Sequence, residues 1–233
     1  MGQRTIAIMQ PTYLPWIGYF DLIDRVDCFV FLDSVQFNKR SWQQRNRIKG
    51  SKGVLWLTVP VLSKGRREQK IAEVEIDLTR QFQAKHLKTI MSCYSKTPFC
   101  QKYIDELSTI LNKSHQWLVE LNIELIQWFC RNLGISTQTA RSSCLSVEGK
   151  KAELLANICE ALGADCYLSA EGSQAYIEEN NLFKQKKIYL DYHAYKHPKY
   201  TQPYGDFLPY LSTVDLLFNM GDSSLPIIRE GRQ

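Results

Sequence analysis

Residues 5–26, TIAIMQPTYLPWIGYFDLIDRV, decide the predicted fold of this chain. The apolar run at 5–8 predicts a buried β-strand, and the spacing of apolar residues over 17–26 predicts an amphipathic helix. The connecting segment, residues 10–19, holds two prolines, a glycine and three aromatic residues. Because free N–H groups of a helix point at such a loop, α/β proteins often hold anionic ligands there. The alternative is an ordinary strand-to-helix turn whose aromatic rings simply pack.

A second apolar strand at 28–32 completes a strand–helix–strand unit, which predicts parallel pairing with a right-handed crossover. The same patterns predict further strands at 54–61, 74–77, 136–140, 166–168 and 187–192. Helices are expected at 81–94, 98–112, 114–133, 150–162, 175–180 and 213–219. We therefore predict a single α/β domain over 1–233 with a Rossmann-like parallel sheet. Residues 80–134 would form a mainly helical inserted lobe.

The composition is that of a soluble globular protein, with 44% hydrophobic and 23% charged residues among 233. There is no signal-peptide pattern and no run of about 18 apolar residues. We therefore expect a cytoplasmic protein without a membrane span. Seven irregularly spaced cysteines argue against a disulfide framework. The net charge of +5 suits a small phosphate-bearing substrate, and the lack of zinc-finger or RNA-binding patterns does not favour nucleic acid.

The first cluster of candidate site residues lies in the opening loop. Gln10 offers a donor and an acceptor at the carboxyl end of the first strand, where open sheets bind ligands. Gly18 would let the backbone approach a ligand closely. Tyr13, Trp16 and Tyr19 would stack on a sugar or a base.

The second cluster follows the predicted second strand. Asp33 ends that strand and would hold Mg²⁺, a ribose hydroxyl or a substrate amine; a capping role is the alternative. Gln36 is a candidate residue for substrate recognition. Strand alternation places Arg45 and Arg47, which flank Asn46, on one face, where both guanidinium groups would clamp carboxylate or phosphate.

Two late residues, Lys150 and Ser169, lie near a helix start and a strand end, which suits phosphate binding. The sequence contains no P-loop, no GxSxG motif and no convincing nucleophile–base–acid triad. His193 and His197 are four residues apart but adjoin Pro198, so the helical zinc-binding spacing does not apply. The sequence therefore predicts no resident metal site.

Several motifs, in order along the chain, resemble the WbqC-like family of bacterial proteins. They are MQPTYLPWIGYFDLI at 9–23, DCFVFLDSVQ at 27–36, WQQRNRI at 42–48, WLTVP at 56–60 and FLPYLSTVDLLFNMG at 207–221. The resemblance implies a role in bacterial surface-polysaccharide biosynthesis, such as O-antigen and lipopolysaccharide assembly. It further implies a transferase that decorates nucleotide-linked amino sugars.

The implied reaction places an amino acid such as glycine, or another acyl group, on the amine of a nucleotide-linked sugar. A small carboxylate would be activated by ATP with Mg²⁺, as in an amide-forming ligase, or would arrive as an acyl-carrier thioester. For this chemistry we expect the catalytic residues to be Gln10, Asp33, Gln36 and Arg45. The alternative is a non-catalytic module that binds a nucleotide sugar or an acyl carrier in the same pathway.

Two weaker similarities support a nucleotidyltransferase-like architecture. The loop at 10–20 is similar to the HxGH-type loop of nucleotidyltransferase-like Rossmann proteins. Residues 31–37 are similar to the end of the second strand in pantothenate synthetases, where a glutamine contacts the acid substrate. This chain departs from the first pattern, because Tyr13 and Tyr19 stand where histidines that steady a triphosphate would be expected.

Overall fold

The computed structural model describes residues 2–170, residue 177 and residues 181–233. Within these ranges the strands are β1 Thr5–Met9, β2 Cys28–Phe31, β3 Arg45–Gly50, β4 Gly53–Thr58, β5 Gln138–Arg141, β6 Cys166–Ala170 and β7 Tyr189–His193. The α-helices are α1 Ile17–Asp24, α2 Phe82–Tyr94, α3 Cys100–Asn112, α4 Leu118–Leu133, α5 Ala152–Ala161, α6 Leu182–Gln185, α7 Thr213–Met220 and α8 Ser224–Glu230. Apart from Ile177, the helix expected at 175–180 lies outside the described residues.

Five strands form a parallel sheet in the order β5-β2-β1-β6-β7. The chain starts at the centre with β1, moves outward to β2 and β5, and then returns to the other side of β1 with β6 and β7. This order is that of a Rossmann-like fold, and it confirms the predicted fold class.

Alternation along the strands divides the core into two layers. Ala7, Phe29 and Phe31 face the layer that contains α1 and α4, whereas Ile8 and Val30 face the layer that contains α5. Both strand faces are therefore buried, which explains why these strands are continuous apolar runs.

The helical stretch between β4 and β5 packs directly on one of these faces. The rings of Phe20 on α1 and Phe129 on α4 lie 5.1 Å apart, so the sheet and the helices share one continuous core. Gly134 ends α4 in the left-handed conformation, as predicted. None of the described helices combines the length and apolar character that a bilayer span requires.

Three predicted elements differ from the structure. The expected cap Ser114 does not begin α4, because Trp117 is extended and residues 116–118 bond to 74–76; for example, Leu118 N donates to Val74 O at 2.8 Å. For the same reason, the strand expected at 74–77 forms only isolated bridges. The strand expected at 54–61 exists as β4, but it pairs antiparallel with β3 in a separate hairpin.

A buried histidine couples the stability of this helical layer to pH. His86 on α2 is 3% exposed, and its Nδ1 lies 2.8 Å from the Tyr13 hydroxyl. Burial lowers the pKa of His86 from 6.5 to about 4. The native protein therefore keeps this imidazole neutral at pH values where the unfolded chain protonates it.

We expect the free energy of unfolding to fall as the pH is lowered from 6.5 to about 4. Proton binding by the unfolded chain drives this loss, and His86 accounts for about 3 kcal/mol of it. His86→Asn retains an acceptor for Tyr13 and removes the titration. Urea unfolding of this variant should show a shallower pH dependence in that window; an unchanged slope would show that His86 is not its source.

Candidate functional site

The main cavity lies at the carboxyl edge of the parallel sheet, between β1 and β6. The register between these strands spans two residue pairs, Thr5–Cys166 and Ile6–Tyr167, whereas β1 and β2 pair over four. The chain reverses direction across the sheet at this point, and open α/β sheets bind ligands at such crevices. The cavity measures about 520 Å³, which falls in the usual range for small-molecule sites.

Among the described residues, the cavity wall combines aromatic rings, uncharged polar groups and a single charged side chain with aliphatic residues. The aromatic residues are Trp16, Tyr19, Trp42, Tyr167 and Tyr210. The polar residues are Gln10, Thr12, Ser41, Gln43 and Asn46, and the charged residue is Arg47.

Buried amides hold the opening loop over the sheet. Asn46 Nδ2 donates to the carbonyls of Tyr13 and Leu14, at 3.2 and 2.7 Å. Asn122 Nδ2 donates to Pro11 O at 3.1 Å and to Gln43 O at 2.7 Å. These bonds satisfy carbonyls that the proline-containing loop cannot pair in a ladder, and they fix the loop against β3 and α4.

Gln10 is oriented by two neighbours. Gln43 Nε2 donates to Gln10 Oε1 at 2.8 Å, and the Tyr19 hydroxyl donates to Gln10 O at 3.1 Å. Burial raises the pKa of Tyr19 well above its usual value, so this phenol remains a neutral donor. Within the described residues the NH₂ group of Gln10 forms no hydrogen bond, and it is therefore the part of this side chain available to a ligand.

The two arginines of β3 have different surroundings. Arg47 lines the cavity, and its Nε donates to Tyr210 O at 3.1 Å. Arg45 is outside the cavity wall, with its Cζ 4.5 Å from the centre of the Trp56 ring. The stacked rings of Trp42 and Trp56, 5.5 Å apart, lie beneath both guanidinium groups.

Five of the predicted site residues meet in the cavity wall, namely Gln10, Trp16, Tyr19, Asn46 and Arg47. Seven do not line this cavity, namely Tyr13, Gly18, Asp33, Gln36, Arg45, Lys150 and Ser169. For several of these seven residues, the structure shows a physical reason why the side chain lies outside the cavity wall.

Asp33 lies at the expected sheet edge, but its carboxylate is occupied by the segment after β5. It accepts hydrogen bonds from Arg141 Nε at 2.7 Å, from Ser143 N and Oγ at 2.8 Å each, and from Ser142 Oγ at 3.1 Å. Four donors fill the lone pairs of this fully buried group. The structure therefore does not present Asp33 to Mg²⁺ or to an amine, and the capping alternative fits its contacts.

Other predicted residues lie outside the wall of the main cavity. The buried Tyr13 bonds to His86, and the Gln36 side chain donates to Arg67 O at 2.9 Å. A Cβ atom added at Gly18 would lie 2.2 Å from the Trp16 ring, so this glycine is needed for ring packing; it lines a smaller side cavity beside the main one. Ser169 is fully buried within β6.

The neighbouring lysine takes the place that was predicted for Lys150. Both Lys150 and Lys151 are exposed, but only Lys151 lines a second cavity of about 400 Å³, next to Leu32 and Leu155, which also line the main cavity. Lys151 has a φ of 52°, a positive value that non-glycine residues rarely adopt.

Sequence reasoning missed several wall residues. Trp42 and Gln43 lie in the motif WQQRNRI at 42–48, but nothing in the spacing of this motif distinguishes Gln43 from Gln44. Tyr210 lies in the motif at 207–221, and its hydrogen bond with Arg47 joins positions 163 residues apart. Only its place within a family motif could have indicated it.

The fold and the cavity define an α/β protein with a Rossmann-like sheet and a ligand-sized crevice at its switch point. The model of the WbqC-like protein family matches residues 10–227, and the chain belongs to this family. It is 40% identical over 234 residues to the uncharacterized protein Rv1507c of Mycobacterium tuberculosis (strain ATCC 25618 / H37Rv), covering 99% of this chain and 100% of that protein. No solved structure matches the chain. The family predicted from the motifs is thereby confirmed.

We expect Asp33→Asn to lower the free energy of unfolding by roughly 2–4 kcal/mol, because an amide cannot accept all four hydrogen bonds and leaves Arg141 without its charged partner. Urea unfolding measures this loss. Ligand affinity of the folded variant should change little. A variant of native stability that no longer binds ligand would instead place Asp33 in contact with the ligand.

Proposed function

We propose that this protein transfers an amino acid such as glycine, or another acyl group, to the amine of a nucleotide-linked amino sugar in bacterial surface-polysaccharide biosynthesis. The observation that carries the proposal is the switch-point cavity, to which the part of the chain that the structure describes contributes one arginine, several amides and five aromatic residues. Membership of the WbqC-like family supports the same pathway.

The wall offers separate surfaces for the parts of such a ligand. Arg47 supplies the positive charge for a phosphate or a carboxylate. The rings of Trp16 and Tyr210, with centres 5.4 Å apart, offer apolar faces for a base or a sugar. Gln10 offers the NH₂ group of its amide, which can orient the ligand by hydrogen bonding. The Asn46 amide is already bonded to Tyr13, Leu14 and Arg47 and shapes the wall.

Amide formation needs an activated acyl group. The proposal leaves its activation to ATP or to a carrier thioester, since either delivers an acyl carbon that an amine can attack. No step is assigned to Mg²⁺, because Asp33 is already saturated by protein donors.

A non-catalytic nucleotide-sugar or acyl-carrier module is the second candidate. One observation favours it: among the described residues of the main cavity wall, none is an aspartate, glutamate, histidine or cysteine. A binding module needs no proton acceptor there, whereas a transferase must place one nearby.

A direct assay separates the two candidates. The protein is incubated with a UDP- or dTDP-linked amino sugar and either glycine, ATP and Mg²⁺ or an acyl-carrier thioester, and mass spectrometry detects a new amide. Amide formed only with active protein supports the transferase. Nucleotide-sugar binding without amide from every donor supports the module, and the absence of both overturns the proposed ligand class.

The two arginines of β3 provide a matched pair of variants. We expect Arg47→Ala to weaken binding of a nucleotide-linked sugar about 10–100-fold, because it removes charge-assisted hydrogen bonds in the cavity. Arg45→Ala should change the affinity less than about threefold, on the same energy scale. Isothermal titration calorimetry measures both affinities. The opposite ranking would restore the role predicted for Arg45 from sequence and remove Arg47 from the site.

A further inference from the structure

A buried histidine–aspartate pair lies beside the main cavity, at the end of β7. His193 Nε2 is 2.8 Å from Asp21 Oδ2, and the two residues are 8% and 0% exposed. Asp21 is on α1, the helix that follows the opening loop. The pair thus joins the last parallel strand of the sheet to the first helix.

The contacts of Asp21 fix the direction of the hydrogen bond. Arg232 Nε lies 2.6 Å from Asp21 Oδ1 and forms an ion pair with the carboxylate. A carboxylate in an ion pair only accepts hydrogen bonds, so His193 Nε2 is the donor. The proton of the neutral imidazole is therefore on Nε2, and its lone pair is on Nδ1.

The imidazole of His193, which carries Nδ1, lines a cavity beside the main one. His193 lines a side cavity of about 200 Å³, and four of the residues that line it also line the main cavity: Met9, Trp16, Tyr19 and Ala170. Within the described residues Nδ1 forms no hydrogen bond, and the surrounding protein does not fully enclose this atom. The two cavities thus adjoin at the carboxyl edge of the sheet.

The ring is also held against rotation. It stacks on Tyr195 with centres 5.6 Å apart and planes 15° apart. Burial raises the pKa of the Tyr19 and Tyr195 phenols, so both stay neutral. The charged groups that the described residues place at the pair are Asp21, Asp24, Arg229 and Arg232.

We propose that His193 is the general base of the transfer and that Asp21 is its positioning residue; this inference rests on the proposed function. The sugar amine attacks the acyl carbon of an acyl adenylate or thioester and forms the C–N bond. The bond from carbon to the phosphate oxygen or thioester sulfur breaks, and its electron pair leaves with that atom. Nδ1 takes the proton from the amine nitrogen and later releases it to solvent or to the leaving thiolate.

Two other histidines show what distinguishes His193. His86 uses its Nδ1 for Tyr13, and burial lowers its pKa to about 4, too low for a base at neutral pH. His115 bonds to Glu124 at 2.6 Å but lines none of the three described cavities. His115 is therefore a matched control, a histidine–carboxylate pair away from ligand space.

The first variant to test is His193→Gln, because a glutamine amide can still donate to Asp21 but cannot take a proton. If the wild-type protein forms the amide, we expect this variant to lower kcat about 10²–10⁴-fold. The dissociation constant for UDP-glucosamine should stay within about threefold, since no charged contact is removed. His115→Gln should keep both values. A kcat of His193→Gln within threefold of wild type would overturn the inference and leave the proposed function intact.

Nuclear magnetic resonance of nitrogen-15 histidine side chains gives a readout that needs no turnover. The wild-type His193 should show its proton on Nε2, and saturating UDP-glucosamine should shift the Nδ1 resonance. Asp21→Asn should allow the Nδ1–H tautomer to appear and should lower any measured kcat. If no donor yields amide, the proposed function fails; a shifted Nδ1 would still place His193 at the ligand, and an unshifted one would overturn the inference.

Discussion

The hydrogen bonds from the buried Asn46 amide to the carbonyls of Tyr13 and Leu14 are the constraint on which the site depends. A loop with two prolines cannot satisfy its carbonyls in a ladder, and buried carbonyls without donors are costly. Asn46 supplies two N–H groups from one side chain and thereby joins the loop after β1 to the β3–β4 hairpin. This connection acts together with the buried side chains of Ile48 and Leu57 to hold the hairpin over the edge of the sheet.

The cavity follows from that connection together with the closing segment of the chain. Ser212 N donates to Arg47 O at 2.9 Å, and Thr213 N donates to Pro15 O at 2.8 Å, so the start of α7 rests on both the hairpin and the opening loop. Polar and aromatic groups from the loop, the hairpin and the closing segment then meet above β1. The histidine–aspartate pair lies on the β7 side of the same crevice, which separates ligand recognition from the proposed proton transfer.

The fold class could be predicted because it is encoded locally. Strands buried on both faces need apolar residues at every position, and helices on a core need a period of 3.6; both patterns are visible in short windows. The same argument located the opening loop. It did not predict β3, whose sequence RNRIKG is mostly polar, as one of the strands. It could not show that Asp33 is saturated, since Ser142 and Ser143 are about 110 positions away in the chain. Nor could it pair His193 with Asp21, which are 172 positions apart.

The sequence by itself determined the family and the parallel α/β sheet, and it indicated five residues within 10–47 that line the cavity. These features depend on neighbours along the chain, where spacing and residue type suffice. The tertiary structure decided which of the candidate polar groups face a ligand and which bond to the protein. That distinction depends on burial and on donors brought from distant segments, because a carboxylate or an imidazole has the same local sequence whether its lone pairs are filled or free.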